Sequence, residues 1–294
     1  MPPTDSPPSA ARTRRDRCPG ALRPWTADDG LLVRLRLVGG RIPAPSLRAL
    51  AAVAQRFGDG RIHATGRANV QLRALPGRDG TLEPGVLRAI GETGLLPSPA
   101  HELVRNIMAS PCTGLTGGRA DLRPVAAALD RALCSEPTRA ALPGRFLFVL
   151  DDGRGDLAER PCDLGLTALD AETAQLRIGE HHGPRVRLDG AADALTGLVD
   201  AFLARRGTGP TAPWHVAELP APLAAPVTAD PRLPAPAPPL PHGPLPGGGR
   251  HVPVPAEGLD RAAADALADE ADAVGADALV VTPWRGVVVP GEAR

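Results

Sequence analysis

Arginine is the residue type with the most chemistry to offer in this sequence. All 33 basic side chains of the 294-residue chain are arginine, and lysine and tyrosine are absent. Arginine keeps its proton in proteins, so none of these cations acts as a general base. Its planar fork suits carboxylates, which it grips through paired N–H donors. Such a chain is fitted to hold an acidic ligand rather than to run lysine chemistry. The two asparagines, Asn69 and Asn106, each lie close to an arginine, Arg67 and Arg105.

The other reactive types offer less. Cys18, Cys112, Cys134 and Cys162 contain no C-x-x-C pair and so no metal-ligand spacing. Asp151, Asp152 and Asp156 beside Arg154 have the types of a metal or acid–base cluster, but DDGRGD reads better as a tight solvated turn. His181-His182, on a Gly-bounded loop, reads as solvated rather than metal-ligating. Trp284 beside Arg285 suits a flat ligand's face or a core position at a turn equally well. Cys112 reads as packing. A net charge of +0 gives no bulk attraction to nucleic acid or to an anionic membrane. There is no apolar run of membrane-spanning length and no export signal, which points to a reducing cytoplasm with free thiols.

These residues need elements to hold them. Residues 1–24 read as a disordered tail. Leu31, Val33, Leu35 and Leu37 alternate as one face of a strand. Leu47, Leu50, Ala51, Val53, Ala54 and Phe57 then follow at helical spacing, with Ser46 as an N-cap candidate. A second strand runs from Ile62 to Leu75, interrupted at Gly66. Leu103–Met108, Phe146–Leu150, Leu164–Leu169 and Ala174–Ile178 read as strands, and Val125–Cys134 and Ala191–Arg205 as helices. The segment 217–249 is a Pro-rich, polyproline-like linker, with eleven prolines from Pro220 to Pro246, and not a folded element. Beyond it a strand, a helix and two strands repeat the first unit. ATGRANVQL (64–72) aligns with VTPWRGVVV (281–289) if one residue is inserted, which matches Arg67 to Arg285.

Several of these segments resemble a known family. VRLRLVGGRI (33–42) with TGRANVQLR (65–73) looks like the ferredoxin-like half-domain of nitrite and sulfite reductases. VRNIMASP (104–111) resembles the opening of the adjoining haem and iron–sulfur domain, and LPGRFLFVLDDGRGD (142–156) the form it takes in the precorrin-3B synthase branch. TPWRGVVVPG (282–291) resembles the second half-domain, and CPGALR near Cys18 the N-termini of that branch. The resemblance implies an α+β fold: two β-α-β half-domains, 25–78 and 250–291, related by a pseudo-two-fold axis and sharing an interface, beside a mixed domain at 96–216.

It also implies a site. Matched by motif, the arginines that bind sirohaem carboxylates fall on Arg36, Arg67 and Arg105, with Arg34 in reserve. Arg145, Arg285, Asn69 and Asn106 complete the expected tetrapyrrole-binding set, the three motif arginines converging on one concave surface with Arg285 at its rim. The reductases' two oxyanion-protonating lysines match Arg145 and Leu147, and leucine can neither bind sulfite nor give a proton. The family's C-x5-C and C-x3-C ligands of a [4Fe–4S] cluster are not found.

The implied function is that of an oxidoreductase of aerobic cobalamin synthesis, hydroxylating precorrin-3A with oxygen and closing a lactone. The expected ligand is a sirohaem or precorrin, and the chain is expected to be truncated, split or degenerate, with a separate C-terminal piece or an electron donor as partner. The alternatives are a non-catalytic tetrapyrrole-binding remnant and a sulfite or nitrite reductase.

Overall fold

The computed structural model describes residues 16–209 and 211–292. In the first half-domain, strands Trp25–Ala27, Gly30–Leu35, Val70–Leu75 and His63–Ala64 form an antiparallel sheet in that order. The alternation of Gly30–Leu35 buries Leu31, Val33 and Leu35, as a period of two requires. Helix α1 (Ala44–Phe57) lays Leu47, Leu50, Ala51, Val53 and Ala54 on this core. It starts before Ser46, with Pro43 at its N-cap position and no side-chain cap, so Ser46 lies inside the helix.

The second half-domain repeats this plan with strand Arg250–Pro253, a helix at Arg261–Ala273, and strands Leu279–Val281 and Gly286–Val289. Its helix is capped by Asp260, whose side chain accepts the Ala263 N–H at 2.9 Å. The halves exchange backbone pairs reciprocally. Strand Arg41–Ile42, just before α1, pairs antiparallel with Leu279–Val281. Leu259, just before the second half's helix, pairs antiparallel with Ile62. In each half, the residues entering the helix pair with those leaving the other half's helix, which is the signature of a two-fold relation. One hydrophobic core runs through both halves, from Leu35 and Leu50 to Leu267 and Leu279.

Between the halves in sequence lies a mixed five-stranded sheet, ordered His181–Arg187, Thr173–Ile178, Leu164–Ala168, Phe148–Asp151, Ile107–Ala109. The last three strands are parallel. Helices Arg123–Ser135 and Ala191–Arg206 belong to this sheet's main core. There Phe146 contacts Phe148 and Phe202 at centroid distances of 5.3 and 5.0 Å. A small separate cluster brings Met108, Leu147, Val149 and Leu157 against Ala68 and Trp284, from the turns of the two half-domains. This joint is where the candidate site forms.

Three segments differ from the sequence reading. Of the expected tail, 1–15 lie outside the described residues, but Cys18–Ala21 are buried. Glu102 holds that segment by accepting the N–H groups of Ala21 (2.6 Å) and Leu22 (2.9 Å). The Pro-rich stretch has no regular element from 219 to 242, yet it is fastened to the central domain. Val227 donates to His182 O (2.8 Å), Asp230 to Gln175 Oε1 (2.8 Å) and Ala237 to Gly155 O (2.9 Å). His181-His182 open an edge strand instead of lying on a loop.

Candidate functional site

The two half-domains present matched turns to the central sheet. In the first, Thr65 N–H donates to Asn69 O and Ala68 N–H to Thr65 O; in the second, Thr282 N–H donates to Gly286 O and Arg285 N–H to Thr282 O. Thr65 Oγ1 accepts the Asn69 N–H and Thr282 Oγ1 the Gly286 N–H, at 3.2 and 3.1 Å. Ala68 and Arg285 both have φ 55°, a left-handed conformation uncommon for non-glycine residues. The turns therefore superpose without an insertion. Arg67 matches Trp284, and Arg285 matches Ala68. Trp284 packs into the joint, while Arg285 is exposed and is not among the residues that line the cleft described next, where its place was expected near the rim.

Beneath the Thr65 turn lies a cleft of two adjoining lobes, of about 400 and 430 Å³, sharing Arg67, Leu147 and Arg160. Met108 and Leu147 supply an apolar floor. Arg34, Arg67, Arg145, Arg160 and Arg177 surround it. Their N–H donors go to neutral acceptors: Arg67 to Arg145 O (3.1 Å), Arg177 to Leu157 O (3.2 Å) and Arg160 O (2.9 Å), and Arg34 weakly to Gln71 (3.4 Å). The buried Nε of Arg34 has no partner among the described residues. Burial, with help from Arg67 and Arg145, lowers the pKa of Arg34 from its usual value. Arg145 lies 5.2 Å over the Trp214 ring, and its nearest carboxylate among the described residues, Asp16, is 3.9 Å away.

Arg36 and Arg105 do not join this cleft. They line a separate cavity of about 320 Å³ between helix Arg123–Ser135 and residues 36–43, with Arg41, Arg123 and Arg131. Arg105 makes a two-pronged bond to Asp130, at 2.6 and 3.0 Å. Arg41 is paired with Asp277 and Arg123 with Asp121. Arg36 turns back on Pro19 O and Arg34 O, and burial pushes its pKa down to about 10. The expected single surface is thus divided: the strand ends at Leu35, so Arg36 does not follow Arg34 to the cleft, and Asp130 holds Arg105 away from it. Asn69 and Asn106 are not at a ligand's edge either. Asn69 Nδ2 donates to Asn106 Oδ1 at 2.9 Å, Asn69 Oδ1 accepts the Leu37 N–H, and Asn106 donates to Phe146 O. They fasten the first half-domain to the central sheet.

The DDGRGD segment is buried rather than solvated. Asp151 accepts the N–H groups of Gly153, Gly155 and Leu157. Asp152 is bonded to Arg154 at 2.6 Å, and Ser110 donates to Asp156 at 2.6 Å. Burial raises the Asp156 pKa to about 7. Carboxylate atoms of the three aspartates lie within 4.8 Å of one another. Turn composition is the same whether a turn is wet or dry, so only the flanking apolar strand Phe146–Leu150 hinted at this burial.

The four cysteines do not fit an iron–sulfur cluster, which requires thiolates gathered on one site. Cys18 lies in the N-terminal segment, Cys112 by Arg154, Cys134 on helix Arg123–Ser135 and Cys162 by Arg177. Burial raises the pKa of all four, that of Cys162 to about 11, favouring the neutral thiol.

Comparison with known proteins agrees with this architecture. The nitrite/sulfite reductase ferredoxin-like half domain family matches residues 26–79. The chain is 34% identical over 163 residues to a precorrin-3B synthase from Sinorhizobium sp., covering 55% of this chain and 34% of that protein. It is 35% identical over 131 residues to a ferredoxin–nitrite reductase from Synechococcus elongatus, covering 42% and 25% of the two. The chain thus spans about a third or less of the length of these curated relatives. Among solved structures it is similar to the Mycobacterium tuberculosis NirA protein, with a TM-score of 0.66 at 19% identity over 94% of this chain and 59% of that one. That likeness is one of fold. No helix among the described residues is long and apolar enough to cross a membrane.

Proposed function

We propose that the cleft under the Thr65 turn binds a polycarboxylate tetrapyrrole, and that the chain serves the precorrin-3B synthase type of chemistry in aerobic cobalamin synthesis. One observation carries this reading. Arg34, Arg67, Arg160 and Arg177 border the cleft without a carboxylate partner among the described residues. Arginines left on neutral acceptors beside an apolar floor suit a ligand with a flat hydrophobic ring and an anionic fringe. In a chain of zero net charge, the cleft is a local positive field that draws in such a ligand. The two curated relatives are named as a precorrin-3B synthase and a ferredoxin–nitrite reductase. Between their chemistries, Leu147 favours the precorrin branch, since it is an apolar floor residue at a position where sulfite reduction uses a proton-donating cation.

A second reading is a tetrapyrrole-holding module without a redox centre of its own. The separate environments of the four cysteines favour it. No step through an iron–sulfur group is assigned to these residues. The test is binding of uroporphyrin, an octacarboxylate porphyrin, followed by fluorescence quenching across a salt series. Tight binding that weakens with salt supports the cleft. Binding unchanged by salt, or absent, removes the tetrapyrrole reading. Oxygen-dependent conversion of precorrin-3A then separates enzyme from holding module.

A further inference from the structure

The cleft contains a histidine–aspartate pair that the family motifs did not single out. Asp163 is 3% exposed and fixed from two sides: Oδ2 accepts the Leu147 N–H at 2.9 Å and Oδ1 the Val216 N–H at 3.0 Å. His215 Nδ1 lies 3.2 Å from both of its oxygens. A carboxylate only accepts, so Nδ1 must carry the hydrogen. That leaves Nε2, on the other side of the ring, for the cavity that His215 lines, and its side chain is 35% exposed. Asp163 thus joins the Leu147 backbone, at the cleft floor, to an imidazole on the cleft wall.

We propose that His215, oriented by Asp163, is the proton-exchanging group of the cleft, taking up a proton at Nε2 as a carboxylate of the bound tetrapyrrole arrives and holding it against that carboxylate. The inference rests on the tetrapyrrole reading of the cleft. The imidazolium so formed lies between two carboxylates, one from the protein and one from the ligand, and histidine changes charge between pH 5 and 8. The cations facing it across the cavity are Arg67, Arg145, Arg160 and Arg177. The ligand's negative charge offsets these cations. Glu159 and Glu180 also line this lobe. Cys162, pushed up to about 11, stays a thiol throughout.

The experiment measures uroporphyrin binding to the full chain by titration calorimetry at pH 6 and pH 8, in buffers of differing ionisation enthalpy, for wild type and His215→Gln. Glutamine can still donate to Asp163. The wild type should take up about one proton per ligand at intermediate pH and bind on the order of tenfold more weakly at pH 8 than at pH 6, one coupled unit of proton affinity being tenfold. His215→Gln should lose both effects and match the wild type at pH 8 within about twofold. As a check free of ligand, the His215 ring should show the Nδ1–H form by nitrogen NMR at pH 8. Binding by both proteins with proton uptake unchanged in His215→Gln overturns the inference and leaves the cleft reading standing. No binding by the wild type overturns both.

Discussion

Five arginines surround the cleft and five others line the second cavity, and three of the second set are held in a way that the cleft arginines are not. In the second cavity, Arg41, Arg105 and Arg123 are bonded to Asp277, Asp130 and Asp121. In the cleft, Arg67, Arg160 and Arg177 rest on backbone carbonyls, and Arg34 Nε has no partner among the described residues. Of the three paired arginines only Arg105 is buried, and a buried arginine with its own aspartate is a structural fastening, because separating the pair strands a charge in a poor solvent. An arginine held near an apolar floor by neutral groups keeps most of its field for something that arrives later. Residue type is identical in both sets; the partner decides the role.

The comparison makes its largest prediction at Arg105. Replacing it with alanine leaves Asp130 half-buried without its cation, which should cost about 3 kcal/mol. Urea denaturation reads this as a lowered midpoint, while uroporphyrin affinity of the folded fraction stays at the wild-type value. A loss of affinity instead would return Arg105 to the ligand site.

Next comes Asp156, from the buried acidic segment. Its carboxyl stands at about 7 in the folded protein against about 4 in an unfolded chain. A folded value above the unfolded one means that the folded state holds the extra proton. The stability contribution is therefore full below about pH 4 and is lost as pH rises through about 7. Asp156→Asn should make the protein more stable at pH 8, by on the order of 2 kcal/mol, and should flatten the stability curve between pH 5 and 8. Identical curves for variant and wild type would show that Asp156 is not protonated in the fold.

Asn69→Ala should cost about 1–3 kcal/mol by stranding the buried Asn106 amide, again without loss of ligand affinity. The smallest stability change belongs to the cleft itself. Arg67→Ala should move the denaturation midpoint by less than about 0.5 kcal/mol yet weaken uroporphyrin binding by about 1–2 kcal/mol, since its contact is only half desolvated. If Arg67→Ala destabilises the fold and leaves binding intact, the division into fastened and free arginines fails.

Much of the fold was readable in the chain because it rests on periodicity. The alternation of Leu31, Val33 and Leu35 and the helical spacing from Leu47 to Phe57 are local signals. The recurrence of a strand, a helix and two strands after the linker disclosed the duplication. The turn match was off by one because Arg67 and Arg285 drew the alignment together, whereas the hydrogen bonds of Thr65 and Thr282 set it. The site was less legible. Whether an arginine is spoken for depends on tertiary neighbours: Arg105 meets an aspartate one domain element later, and Arg41 one from the far end of the chain. His215 and Asp163 are 52 residues apart and carry no spacing signature. The burial of Cys18–Ala21 was hidden because its holder, Glu102, is remote in sequence and unremarkable in type.

The reciprocal pairing of the half-domains also bears on how the molecule is made. As the chain leaves the ribosome, strand Arg41–Ile42 must wait for Leu279–Val281, and Ile62 must wait for Leu259. All of the central domain is synthesised in that interval. Contacts so distant in sequence close slowly, and an unpaired strand edge invites wrong partners meanwhile. The central sheet, whose pairings are mostly between neighbours in sequence, has no such wait. The joint beside the cleft includes Trp284 as well as Ala68, so the walls of the cleft come together only after residue 284 has emerged.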